Sequence, residues 1–136
     1  MGTTIVAGGL VSQLSPLETV RAFIRAIERN ELERALELVA EQCEYDNVPM
    51  GKMFGVNAIR AALGPFLASA TEVEWVIHRE ASTDGVVFNE RVDRFRFAHG
   101  WVEIPVTGVW EVTDGKISLW RDYFDEAMFR SQMPQQ

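Results

Sequence analysis

Two short runs place charged and amide side chains where a strand should be apolar. Asn89-Glu90-Arg91-Val92-Asp93 lies between Val86-Val87-Phe88 and Phe95-Arg96-Phe97. Side chains alternate faces along a strand, so Val87, Asn89, Arg91, Asp93, Phe95 and Phe97 share one face. An arginine and an aspartate amid apolar neighbours must be paired or working, because an unpaired buried charge is costly. The second run, Ile117-Ser118-Leu119-Trp120-Arg121-Asp122-Tyr123-Phe124, repeats the pattern with Asp122 between Trp120 and Phe124. One reading joins the two runs: Arg91 holds two carboxylates, Asp93 and Asp122, in an otherwise apolar pocket. A third run, Cys43 to Val48, puts Cys43, Tyr45 and Asn47 on one strand face and ends at Pro49.

These residue types allow few chemistries. No serine or cysteine nucleophile has an obvious histidine base. Cys43 reads as core packing, and His78 and His99 fall in a strand and a turn. Asp93, Asp122 and Asp125 could offer oxygen to a hard cation, but Arg91 on the face of Asp93 would repel it. No His/Cys cluster has zinc spacing. Acid–base chemistry by two carboxylates remains, one protonated to donate and one ionised to accept. An apolar pocket raises both pKa values, while Arg91 and hydrogen bonds from Tyr45 or Asn47 favour ionisation of one. A plain buried ion-pair network would use the same three residues, and residue types alone leave that alternative open.

The elements that must position these residues follow in order. Ser15-Pro16-Leu17-Glu18 is a capping box with proline at the first helical position. Val20, Phe23, Ile24 and Ile27 then share a helical face. Asn30 to Glu33 predicts a second cap, opening a helix through Leu32, Leu36 and Val39. Gly51 to Gly55 reads as a loop. Asn57 should cap a third helix carrying Ile59, Leu63, Phe66 and Leu67, kinked or broken at Gly64-Pro65. Val73, Trp75 and Ile77 alternate with polar neighbours as a strand. Turn signals at Thr83-Asp84-Gly85, His99-Gly100 and Asp114-Gly115 separate three long strands near 86–97, 101–112 and 116–124. Connections this short make those neighbours antiparallel. Glu126 to Gln132 should add a helical turn, with Met128 and Phe129 folding back. Helices followed by a meander predict an α+β fold, with three helices packed in the concave face of a strongly curved sheet and a ligand pocket between the layers.

Composition narrows the partners. The chain has 136 residues, 47% hydrophobic and 24% charged, enough for one domain with its own core. A net charge of −7 argues against nucleic acid and against an anionic membrane surface. The single cysteine excludes an internal disulfide and fits a reducing compartment. No run has the length of a transmembrane helix. The first ten residues lack the basic and apolar regions of a signal peptide, and Val6 breaks a myristoylation pattern. The expectation is a cytoplasmic protein with a flexible tail over residues 1–13 and a single domain over 14–136.

Three motifs carry a family resemblance. Tyr45-x-Asn47 followed by Pro49, Glu90-Arg91-Val92-Asp93, and Trp120-Arg121-Asp122-Tyr123-Phe124-Asp125 after Asp114-Gly115-Lys116-Ile117 resemble the limonene epoxide hydrolase family, from about Ser15 to Phe129. That family belongs to the nuclear transport factor 2-like superfamily, with ketosteroid isomerases and polyketide cyclases. The resemblance implies a cone-shaped α+β barrel built on a mainly antiparallel mixed sheet. It implies a five-residue catalytic set without cofactor or metal: Asp122 as general base on a water, Tyr45 and Asn47 holding that water, Asp93 as general acid on the epoxide oxygen, and Arg91 between the two aspartates. Epoxide strain supplies the electrophile, so proximity and two timed proton transfers suffice. Parity and helix position suggest an apolar lining from Ile24, Phe66, Phe95, Ile104, Val106, Trp110 and Phe129, suited to a terpene-like or cyclic epoxide. Family members pair through the outer sheet face, which implies a homodimer. The alternatives on the same fold are an isomerase-like or cyclase-like acid–base enzyme, or a non-catalytic small-molecule-binding dimer module.

Overall fold

The structure is a computed structural model that describes residues 3–6 and 9–134. Its first long element is helix α1 (Pro16–Glu28), which follows β1 (Thr3–Val6) and β2 (Gly9–Ser12). The two short strands pair antiparallel as a sheet of their own, in a segment expected to have no regular structure. Ser15 closes the capping box: its hydroxyl accepts from the Glu18 backbone N–H at 3.1 Å, and Glu18 accepts from the Ser15 N–H at 2.9 Å. Val20, Phe23, Ile24 and Ile27 are buried on one face of α1.

Helix α2 (Leu32–Leu36) is shorter than its sequence suggests and has no side-chain cap. Asn30 takes a left-handed φ of 57° instead, and its amide donates to the Leu67 carbonyl at 3.2 Å. The helix stops at Leu36, and Val39 opens strand β3 (Val39–Asn47). The expected loop after Pro49 is partly strand: β4 (Gly51–Phe54) pairs antiparallel with β3. Helix α3 (Val56–Ala68) is capped by Gly55 at φ 93° rather than by Asn57, whose side chain accepts from Arg60 at 2.7 Å. Pro65 does not end α3. It forfeits its own bond to the Ala61 carbonyl, and buried Leu63 and Leu67 anchor the helix on either side.

The rest is the meander: β5 (Glu72–Thr83), β6 (Val86–Phe97), β7 (Gly100–Thr113) and β8 (Lys116–Tyr123), then α4 (Glu126–Gln132). Asp84-Gly85 and Asp114-Gly115 have positive φ at both residues, the two-residue loop whose twist matches antiparallel strands. The six strands order as β4-β3-β8-β7-β6-β5, antiparallel except where β3 runs parallel to β8. The architecture is the expected α+β, with a mixed, mainly antiparallel sheet, but the sheet is curled rather than closed, with β4 and β5 as its edges. Glu28 at the end of α1 accepts from the Trp75 N–H of edge strand β5 at 2.9 Å. The core lies between α1, α3 and the concave face, where Phe23 meets Trp110 and Trp120 edge-on at 5.6 and 5.1 Å. Burying each such side chain contributes about 1.5–3 kcal/mol. Among the described residues, no helix is long and apolar enough to cross a membrane.

Candidate active site

Strand alternation on β6 turns Asn89, Arg91 and Asp93 toward the helices, between Val87 and Phe95. Arg91 is 1% exposed, and the aspartates are nearly as buried. Its guanidinium makes a two-pronged contact with Asp93: Nε donates to Oδ1 at 2.7 Å and Nη2 to Oδ2 at 3.2 Å. Nη2 also donates to Asp122 Oδ2 at 2.8 Å, across β7. Nη1 donates to Asn89 Oδ1 at 2.8 Å. The guanidinium packs near the faces of Trp75 and Trp110, 5.0 and 5.6 Å from their ring centres.

The parallel β3–β8 ladder brings the third run to the same place. Tyr45 pairs with Trp120 and Asn47 with Asp122 in register. The Tyr45 ring stacks on Trp120 at 3.9 Å. Tyr45, Asn47, Asp93 and Asp122 line one cavity of about 380 Å³. Its remaining wall is largely apolar.

Charge explains the protonation of this cluster. With both carboxylates ionised, two anions and one cation would sit buried in the wall of the cavity. Burial pushes Asp93 up from 3.8 to about 6; Arg91 opposes the rise, and the charges of Asp122 and Glu28 add to it. Burial also raises Asp122, against the pull of Arg91 and Trp120. For Arg91 burial works the other way, but Asp122 and Asp93 outweigh it and keep the guanidinium charged. Burial, and then the nearby Asp122, raise the Tyr45 phenol, so it keeps its proton as a donor. Asp122 Oδ1 is buried and makes no protein hydrogen bond of good geometry. The arrangement can therefore hold one proton on one carboxyl and present the other as a base.

The lining differs in part from its expectation. Phe66, Phe95, Ile104, Val106 and Phe129 border the cavity. Ile24 and Trp110 do not. Ile24 is 2% exposed and packs in the core from α1. Trp110 has the right parity but lies beneath Arg91, stacked on Trp120 at 5.3 Å. Sequence reading misses Trp75, whose inward parity on β5 could have signalled it, and Leu63, Leu67 and Phe124. It also misses Met50, and Lys52 and Met53 from the segment read as a loop, all of which border the cavity. Asn89 shares the parity of Arg91, and that was its available signal.

The other candidates are occupied elsewhere. Burial, with the neighbouring Glu44 charge, pushes the Cys43 thiol up to about 12, far from a thiolate nucleophile. His78 is exposed at an irregularity in β5. His99 stacks on Phe97 and bonds the Gln132 carbonyl at 2.9 Å. Asp125 caps α4, accepting from the Met128 N–H at 3.1 Å, instead of joining Asp93 and Asp122.

Comparison with known proteins bears on the family and the fold. A family model for the limonene-1,2-epoxide hydrolase catalytic domain matches residues 14–135. The chain is 32% identical over 106 residues to epoxide hydrolase EphG of Mycobacterium tuberculosis, covering 78% of this chain and 70% of that protein. A solved structure of an M. tuberculosis limonene epoxide hydrolase-like epoxide hydrolase superposes with a TM-score of 0.77 at 28% identity, over 85% of this chain and 86% of that one. A putative SnoaL-like polyketide cyclase from Shewanella denitrificans superposes with a TM-score of 0.78 at 13% identity, over 86% and 95% of the two chains, a likeness of fold alone. The fold is nuclear transport factor 2-like.

Proposed function

The chain belongs to the limonene-1,2-epoxide hydrolase family, and from that premise we propose that it adds water to a small apolar epoxide in one step, giving a vicinal diol. One observation carries the reading: a single buried arginine bonds two carboxyl groups at the wall of an apolar cavity, beside a tyrosine and an amide. Tyr45 and Asn47 hold a water against Asp122, and that water donates to Asp122 Oδ1, which has no protein partner. Asp122 takes a proton from that water as its oxygen attacks an epoxide carbon. The carbon–oxygen bond breaks, and Asp93 delivers its proton to the leaving oxygen.

Charge balance favours this sequence. Before the step Asp93 is neutral and Asp122 anionic; afterwards the roles are exchanged. Arg91 bonds both throughout, so the charge changes side while the cation stays fixed and little around it must reorganise. Both protons come from side chains and water, and the step calls for neither metal nor cofactor. An isomerase or cyclase would need the acid–base pair but no positioned water, and Tyr45 and Asn47 beside Asp122 favour hydrolysis.

Limonene oxide, cyclohexene oxide and styrene oxide, screened with chiral analysis of the diols, test the activity against a parallel panel of enolisable ketones. Turnover of at least one epoxide is expected; ketone isomerisation without epoxide turnover would overturn the reading. A single turnover in oxygen-18 water should label the diol and leave the protein unlabelled. Label on either aspartate would reveal a covalent ester instead. We also read the protein as a homodimer through its outer sheet face, where Val76, Phe88 and Tyr123 are 41%, 41% and 47% exposed. Sedimentation equilibrium tests this, and a monomer at micromolar concentration would contradict it.

A further inference from the structure

Arg91 begins on β6 and reaches a carboxylate on β8, so its guanidinium must cross β7. Asn89, Gly108 and Asp122 lie side by side in that crossing, Asn89 paired with Gly108 and Gly108 with Asp122. A Cβ at Gly108 would stand 2.4 Å from Arg91 Nη1, 2.7 Å from Asn89 Oδ1 and 2.8 Å from Trp110 Nε1. Arg91 has no room to yield, being fully buried and bonded to three side chains.

Asn89 is as unusual as Gly108 on this face. It is 2% exposed, where an aliphatic side chain would pack more simply. Its Oδ1 accepts from Arg91 Nη1 at 2.8 Å and from Trp110 Nε1 at 3.2 Å. Two donors converge there, so the amide must present its oxygen and leave Nδ2 without a partner. Packing gives no reason for that arrangement; holding Arg91 does. An amide also supplies the acceptor without adding another negative charge to those of Asp93, Asp122 and Glu28.

We propose that Asn89 and Gly108 are positioning residues of the site: Asn89, braced by Trp110, fixes one end of the Arg91 guanidinium, and the missing side chain at Gly108 is the gap through which Arg91 reaches Asp122. The kinetic consequence rests on the hydrolase reading; the electrostatic one does not.

Asn89→Leu, Asn89→Asp and Gly108→Ala test it with two readouts. The first is carbon-13 titration of the Asp93 and Asp122 carboxyls in the free protein. The charged groups around them are Arg91 on β6, Glu28 on α1 and, across the cavity, Lys52 on β4, with the neutral Tyr45 phenol on β3. The second is the pH profile of kcat and KM on an epoxide that the wild type hydrolyses. Asn89→Leu and Gly108→Ala should loosen Arg91 from at least one carboxyl, raise that midpoint by about one pH unit and lower kcat about 100-fold. KM should stay within about threefold, because the lost contacts act on the reacting groups rather than on substrate binding. Asn89→Asp keeps the acceptor and adds an anion, so both midpoints and the pH optimum should move upward. Wild-type midpoints and kcat in folded Asn89→Leu and Gly108→Ala would overturn the proposal. Loss of fold in all three variants would assign the residues to stability and overturn it equally. Midpoints that move as stated in a protein that hydrolyses no epoxide would sink the hydrolase reading and leave the positioning role standing.

Discussion

Strand β6 carries arginines on both its faces, and the two faces obey different rules. Arg91 points inward with its side chain 0% exposed, and its partners Asp93 and Asp122 lie on β6 and β8. Arg94 points outward with its side chain 27% exposed, paired with Glu74 and Glu103 and resting 4.1 Å over Trp101. Arg96 pairs outward with Glu72. Both faces set carboxylates against an arginine, on the outer face from the neighbouring strands and on the inner face from β6 itself and from β8. On the outer face water screens the charges, and such pairs contribute about 0–1 kcal/mol each. On the inner face the same groups are desolvated, and their protonation becomes part of the structure. Chemistry arises where the pairing is expensive.

Substitutions that sharpen this contrast can be ranked. The largest effect belongs to Asp93→Asn and Asp122→Asn, each expected to lower kcat by about 10³-fold while circular dichroism stays native. Near-wild-type turnover in either would break the division of roles. Arg91→Met strands two buried carboxylates and should destabilise the fold by about 3–5 kcal/mol at pH 7.5 in urea denaturation. That deficit should shrink toward pH 4, where the carboxyls regain protons.

A third effect comes from pH alone. Asp93 titrates near 6 in the folded protein, above its ordinary 3.8. Between those values the folded chain keeps a proton that the unfolded chain has lost. Stability conferred by the protonated carboxyl is therefore fully present below about pH 4 and is lost as pH rises through about 6. Thermal melts should show this slope in the wild type and a flatter one in Asp93→Asn. The alkaline limb of kcat/KM should fall through the same region, since the acid must enter the step protonated. The smallest effects are expected for Arg94→Ala and Arg96→Ala, within about 1 kcal/mol and with unchanged kcat. A larger loss there would erase the distinction between the faces.

How much of this was legible in the sequence depends on the range of the signal. Parity along single strands placed Arg91 with Asp93 and Tyr45 with Asn47, and turn residues set the meander to within a residue or two. Local capping gave α1. The failures are positions decided by distant contacts. Asn30 looks like a cap but bonds Leu67, 37 residues away. Gly51 to Phe54 has weak strand character and becomes strand by pairing with β3. Trp110 has the parity of the lining yet is covered by Arg91, which parity cannot show. Asn89 was on the right face, but only the positions of Arg91 and Trp110 reveal what it does.

The parallel pairing of β3 with β8 has a consequence for how the chain acquires its site. Hairpins β5–β6, β6–β7 and β7–β8 close over turns of a few residues, and they carry Arg91, Asp93 and Asp122. Tyr45 and Asn47 arrive only when β3 docks on β8, a contact in which Asp46 and Arg121 bond at 2.9 Å across 75 residues of chain. Closing so long a loop is slow relative to zipping a hairpin. Folding in that order would assemble the proposed proton-transfer half of the centre from local pieces and the proposed water-holding half by a long-range event. An intermediate with the meander formed and β3 undocked would hold the two aspartates and the arginine with no tyrosine or amide to seat a water, so recovery of activity after dilution from denaturant should trail recovery of sheet structure.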